Sequence, residues 1–173
     1  MRIIFGTLSL TALLLWAGTA VAAVDIAGVK VDEALSVAGT RLQLNGAGVR
    51  YKGPFKVYVG DLYATRPVKS LDELIAAPGP KRLGMTFLRE INSAEFGKML
   101  TRGIEDNVSR SEVSKIIPGM IKMGDIFAAN KAFAPGDVCV LEWDPAKGLS
   151  VWVKGKLQAE PMNDPVFFRA LMS

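Results

Sequence analysis

The chain has 173 residues, with 21 Lys and Arg against 17 Asp and Glu, no histidine and one cysteine. Without histidine, neither a Ser-His-Asp nor a Cys-His nucleophile can be assembled, and the usual zinc sites lose their commonest ligand. One cysteine allows no intrachain disulfide, and the scattered basic residues argue against a nucleic-acid surface, which clusters them.

The chain opens on "MRIIFGTLSLTALLLWAGTAVA", with a lone Arg2, an apolar run from Ile3 to Trp16 and a small-residue Ala20-Val21-Ala22 site. This is the pattern of a secretory signal peptide. The apolar run is shorter than the roughly 20 residues that span a bilayer. The expectation is cleavage after Ala22, release into the periplasm, and a mature chain without an integral membrane anchor. The signal carries Arg2 and no acid, so the formal charge of +4 falls to +3 on processing. Residues 23–173 then form one domain, long enough to bury a core.

Taken in order, "RLQLN" alternates its leucines as a strand does. Next comes "LNGAGVRYKG", Leu44 to Gly53. A dinucleotide fingerprint would need glycine at the sixth position from Gly46, where Tyr51 stands, and no Gly-Lys-Ser or Gly-Lys-Thr closes a P-loop. The glycines read instead as a tight turn that sets Arg50 in a fixed place.

"PFKVYVGDLYAT" is β-branched and aromatic, a strand in which Gly60 and Asp61 suggest a bulge or a bend. In "KRLGMTFLRE", Leu83, Met85 and Phe87 alternate with smaller or polar residues. The period then changes. Asn92 or Ser93, followed by Glu95, forms a helix-capping signal, and Phe96, Met99, Leu100, Ile104 and Val108 make a helical stripe. A second helical run carries Val113, Ile117, Met120 and Ile121, with Pro118 and Gly119 placed to kink or break it.

"VCVLEWDPAKGLSVWVKGK" reads as a hairpin with Gly148 in a left-handed turn position, and Cys139 within it as a small buried hydrophobe. A short helix from about Pro165 to Met172 follows. The predicted class is α+β, with helices packed on one face of an antiparallel sheet.

Together "LNGAGVRYKGPFKVYVGDLYAT", "INSAEFGKMLTRGIEDN" and "KGLSVWVKGK" resemble the chalcone isomerase-like family, in particular its short exported bacterial branch. The resemblance implies an open-faced β-sandwich, a large antiparallel sheet under a layer of helices, with a ligand cleft between them. Family members usually continue past the last helix with a Trp-Leu-Gly-containing segment, whereas this sequence stops at "FFRALMS"; either it is truncated or a lid element is missing, which would leave the cleft more open.

The family holds enzymes that close a chalcone into a flavanone, and non-catalytic members that bind fatty acids or other apolar molecules. Arg50 falls where the family's "GAGVR" arginine enters the cleft, to polarise a substrate or to hold a carboxylate. A guanidinium suits either use.

The tyrosine, lysine and asparagine of the enzymes' cleft helix align with Phe96, Met99 and Gly103 here. None of these side chains can donate a hydrogen bond. The enzymes' strand threonine falls near Tyr58. The expectation is a non-catalytic periplasmic binder of a small apolar anion such as a fatty acid, held by Arg50, Tyr58, Phe96 and Met99. No cofactor or metal is expected. The alternatives are an intramolecular lyase of chalcone isomerase type with a rearranged site centred on Arg50, or an envelope domain whose cleft is filled by its own side chains.

Overall fold

The computed structural model describes residues 22–173, and the expected signal sequence, apart from its last residue Ala22, lies outside the described residues. Its frame is a seven-stranded, wholly antiparallel sheet of β3 (Ala34–Val37), β4 (Thr40–Lys52), β5 (Phe55–Ala64), β6 (Lys81–Phe87), β9 (Val138–Asp144), β10 (Gly148–Val153) and β11 (Lys156–Leu157). The spatial order is β11-β10-β9-β6-β5-β4-β3. Thus β6 leaves the sheet's centre, the helices intervene, and β9 returns to pair with it.

Alternation along the strands gives the sheet two different faces. Met85 and Phe87 of β6, Cys139 and Leu141 of β9, and Val151 and Val153 of β10 are buried under α2 (Ser93–Asn107), α3 (Arg110–Ala128) and α4 (Pro165–Leu171). The opposite face carries Leu42, Val59 and Tyr63, which pack with Val31 and Val37 beneath the hairpin of β1 (Ala23–Ile26) and β2 (Val29–Asp32). Two-residue strands β7 (Ile91–Asn92) and β8 (Ala132–Phe133) pair at the helix side. Cys139 is fully buried, and burial pushes its thiol up to about 12.

The helices follow their local chemistry. Asn92 is the N-cap of α2, its side chain accepting from the Glu95 amide at 3.1 Å. Ser109 and Glu112 close a capping box at α3. Helix α1 (Leu71–Ala76) is capped by Ser70, whose Oγ accepts from the Glu73 amide, although the sequence reading left this segment unassigned.

Four expectations are corrected. The glycines of "GAGVR" make no turn: Gly46 and Gly48 lie inside β4, and the chain reverses at Gly53, where φ is +57°. The bulge sought at Gly60 and Asp61 is absent, because both pair regularly with Gly48 and Ala47; the register shifts fall between Leu44 and Gly46 and between Arg50 and Tyr51. Asp61 fits its place because Gly84 opposite has no side chain, and an added Cβ there would collide with the Asp61 carboxylate.

Pro118 neither ends nor divides α3, since it is exposed and the carbonyl it leaves without a donor can be solvated. The buried stripe of α3 is also shifted: Ile116, Gly119, Met123 and Phe127 face the core while Ile117 and Ile121 are exposed. Gly119 sets this phase, because only a glycine lets α3 approach Phe167 of α4; a Cβ would come within 2.3 Å of its ring.

Candidate functional site

Arg50 and Tyr58 are direct cross-strand partners, one near the end of β4 and the other near the start of β5. Directly paired residues project from the same face, and Tyr58 packs against the helix-side core, so Arg50 stands on that face too. The next pairs along it are Gly48 with Gly60 and Gly46 with Leu62. Gly46 and Gly48 leave open space where side chains would stand, and the Tyr58 ring leans along its strand to within 3.5 Å of where a Gly60 Cβ would be. The glycines of "GAGVR" therefore strip the sheet surface next to Arg50.

Over this surface runs α2. Phe96 is buried and meets Tyr58 edge-on with ring centroids 6.1 Å apart, while Met99 and Leu100 are half-buried. Phe96 also packs edge-on against Phe87, Phe127 and Phe133, which anchors the cavity wall in the deepest part of the core. Helix α4 closes a third side through Ala170 and Leu171. It is seated by Phe167 against Gly119 and by an ion pair from Arg169 to Asp72 of α1 at 2.6 Å.

The result is an open cavity of about 410 Å³ between the β4–β5 end of the sheet, α2 and α4. Arg50, Tyr58, Phe96 and Met99 all line it, and so does Gly103, whose missing side chain leaves free volume. The cleft is therefore not filled by the protein's own side chains. Its size falls in the range of roughly 300–1,000 Å³ typical of small-molecule sites.

The chain belongs to the chalcone isomerase-like family. The family's sequence model matches residues 23–173, the whole of the expected mature chain. Among solved structures, the chain is similar to a fatty-acid binding protein of Arabidopsis thaliana, with a TM-score of 0.66, 14% identity and 87% of each chain covered. At that identity the likeness establishes the fold, an α+β open-faced sandwich. No match is found among curated proteins by sequence.

In this chalcone isomerase-like chain the polarity of the cavity is graded. The floor is apolar, and the rim carries Arg50, Lys52 and Arg102 against one acidic side chain, Asp106, with Ser173 also lining the cavity. All three cations are exposed, and none has an ion-pair partner among the described residues. Arg50, expected to enter the cleft, therefore stands exposed at its mouth. Burial raises the Tyr58 phenol above its ordinary value, although the positive charge of Arg50 pulls the other way. At neutral pH it is a hydrogen-bond donor and not a base.

The sequence reading missed Lys52, Arg102 and the α4 wall. Lys52 carried a signal, since it stands two residues beyond Arg50 on the same strand and shares its face. Arg102 flanks the Phe96–Met99–Gly103 stripe at helical spacing. Leu171 had no local signal, because it reaches the cavity through a contact between α3 and α4.

Proposed function

We propose that this protein is a non-catalytic periplasmic binder of a small apolar anion, with a fatty acid as the ligand class. The observation that carries the reading is the graded cavity, apolar at its floor and cationic at its rim. A carboxylate at the rim would receive charge-assisted bonds from Arg50 and a hydrogen bond from Tyr58. Its tail would lie along Phe96, Met99 and Leu100 toward Leu171.

The inward face of α2 supports binding over catalysis. At Phe96, Met99 and Gly103 it presents no donor that could stabilise negative charge developing on a substrate, and one such donor is typically worth about 3–4 kcal/mol in a transition state. The fatty-acid binding protein that shares this fold is consistent with the ligand class. Export rests on the leader pattern of residues 1–22.

Native mass spectrometry of freshly purified protein, with extraction of bound lipid, is the direct test. Co-purified long-chain carboxylates are the expected result. An empty cavity that also refuses added palmitate removes the reading. A rate of hydroxychalcone cyclisation above the buffer reaction, lost on changing Arg50, replaces it with the intramolecular lyase. N-terminal sequencing of the exported form tests processing after Ala22.

A further inference from the structure

The β4–β5 hairpin extends past the cavity mouth and ends in Tyr51-Lys52-Gly53-Pro54-Phe55-Lys56, all exposed. Tyr51 and Phe55 are 52% and 57% exposed, among the most exposed large apolar side chains of the described residues. A hairpin tip with no packing role of its own would ordinarily be polar. Here Arg89 lies across Phe55, its guanidinium 4.7 Å from the ring centroid. Arg50, Lys52, Lys56 and Arg89 gather at this end of the molecule with no ion-pair partner among the described residues, and Arg102 lies beside them, against the carboxylates of Glu90, Glu95 and Asp106 nearby. In a chain whose expected mature charge is +3, this is a local concentration of positive charge.

We infer that this tip is a docking surface for an anionic phospholipid bilayer. Exposed aromatic rings flanked by lysine and arginine match the headgroup level of a membrane, where rings enter the interface while cations stay with the phosphates. Each cation near an anionic surface contributes about 1 kcal/mol of attraction, so four are enough for reversible binding without an anchor. The aromatic and cationic tip is continuous with the cavity, because Tyr51 and Lys52 line both. Docking would bring the mouth against the bilayer surface. That this serves lipid exchange rests on the proposed function; the docking itself does not.

The test is partitioning of the purified protein onto vesicles of phosphatidylcholine alone and of phosphatidylcholine with phosphatidylglycerol, compared with the double variant Phe55→Ser, Lys56→Glu. Neither residue lines the cavity. The wild type is expected to favour the phosphatidylglycerol vesicles and to lose binding as salt rises. The double variant should bind them about tenfold or more weakly, since it removes a ring and reverses a charge near the surface. Its thermal melt and its uptake of a fluorescent fatty acid without vesicles should match the wild type. Equal partitioning onto both vesicle types, or no loss in the double variant, overturns the docking surface. A wild type that takes up no fatty acid yet prefers anionic vesicles removes the lipid-binding reading and leaves the docking surface standing.

Discussion

One sheet face has two halves that differ sharply. Under β6, β9 and β10, large side chains meet the helices without a gap: Phe87 stacks on Phe133 at 4.1 Å, Trp143 stacks on Phe168 at 4.6 Å, and Phe127 is fully buried. Under β4 and β5 the strand positions are Gly46, Gly48 and Gly60, and a cavity opens beside them at Arg50 and Tyr58. The same helix, α2, covers both. Its Gly97 lies so close to Phe127 that an added Cβ would sit 3.1 Å from the Phe127 Cβ and 3.3 Å from its ring, whereas Gly103, six residues on, has nothing within 4 Å. A ligand site therefore needs no separate construction here, since it arises where the supply of large residues stops along a continuous sheet.

Breaking the closed half should have the largest effect. Phe133→Ala removes a ring packed on three sides and is expected to lower the unfolding free energy by about 3–5 kcal/mol, measured by urea titration. Gly119→Ala should follow. A methyl within 2.3 Å of the Phe167 ring forces α4 outward, and overpacking of this kind costs about 1–3 kcal/mol. Palmitate affinity should fall with it, because α4 supplies one wall of the cavity.

The open half should behave in the opposite way. Gly103→Leu has free space to enter and replaces a poor helix former, so the melting temperature should hold or rise. Binding should drop by about tenfold, ~1.4 kcal/mol, because the volume is taken. Unchanged affinity by fluorescence titration would place the ligand elsewhere. The smallest effect belongs to Arg50→Met. Solvent at the exposed mouth screens the charge, so the loss in palmitate affinity should be about 1 kcal/mol, with no loss of stability. Arg50→Lys should restore part of it, since a point charge lacks the fork. If all three proteins bind alike in calorimetry, Arg50 takes no part in holding the ligand.

Much of this was legible in the residues, unevenly. Alternation in "KRLGMTF" put Leu83, Met85 and Phe87 on one face, because a buried face imposes a period of two, and the apolar run around Cys139 marked that residue as buried. Asn92 and Glu95 marked the start of α2, because a cap is a contact between residues three apart. The second helix was misread by one position: Val113, Ile117, Met120 and Ile121 form as good a stripe as the buried one. Only the approach of Phe167, 48 positions beyond Gly119 in sequence, decides between them.

The sequence by itself determined the α+β class, the central strands and main helices, the family, and the residue types that meet at the cavity. Each of these is written in short-range periods, caps and one compact motif. Tertiary structure alone decided that "GAGVR" is a bare strand and not a turn, since glycine permits both and the choice lies with the pairing of Gly48 to Gly60. It also decided that Arg50 stands at the mouth and that α4 completes the cavity. Depth and closure depend on how far separate elements approach one another, a distance set by packing across the whole chain and carried by no local stretch of it.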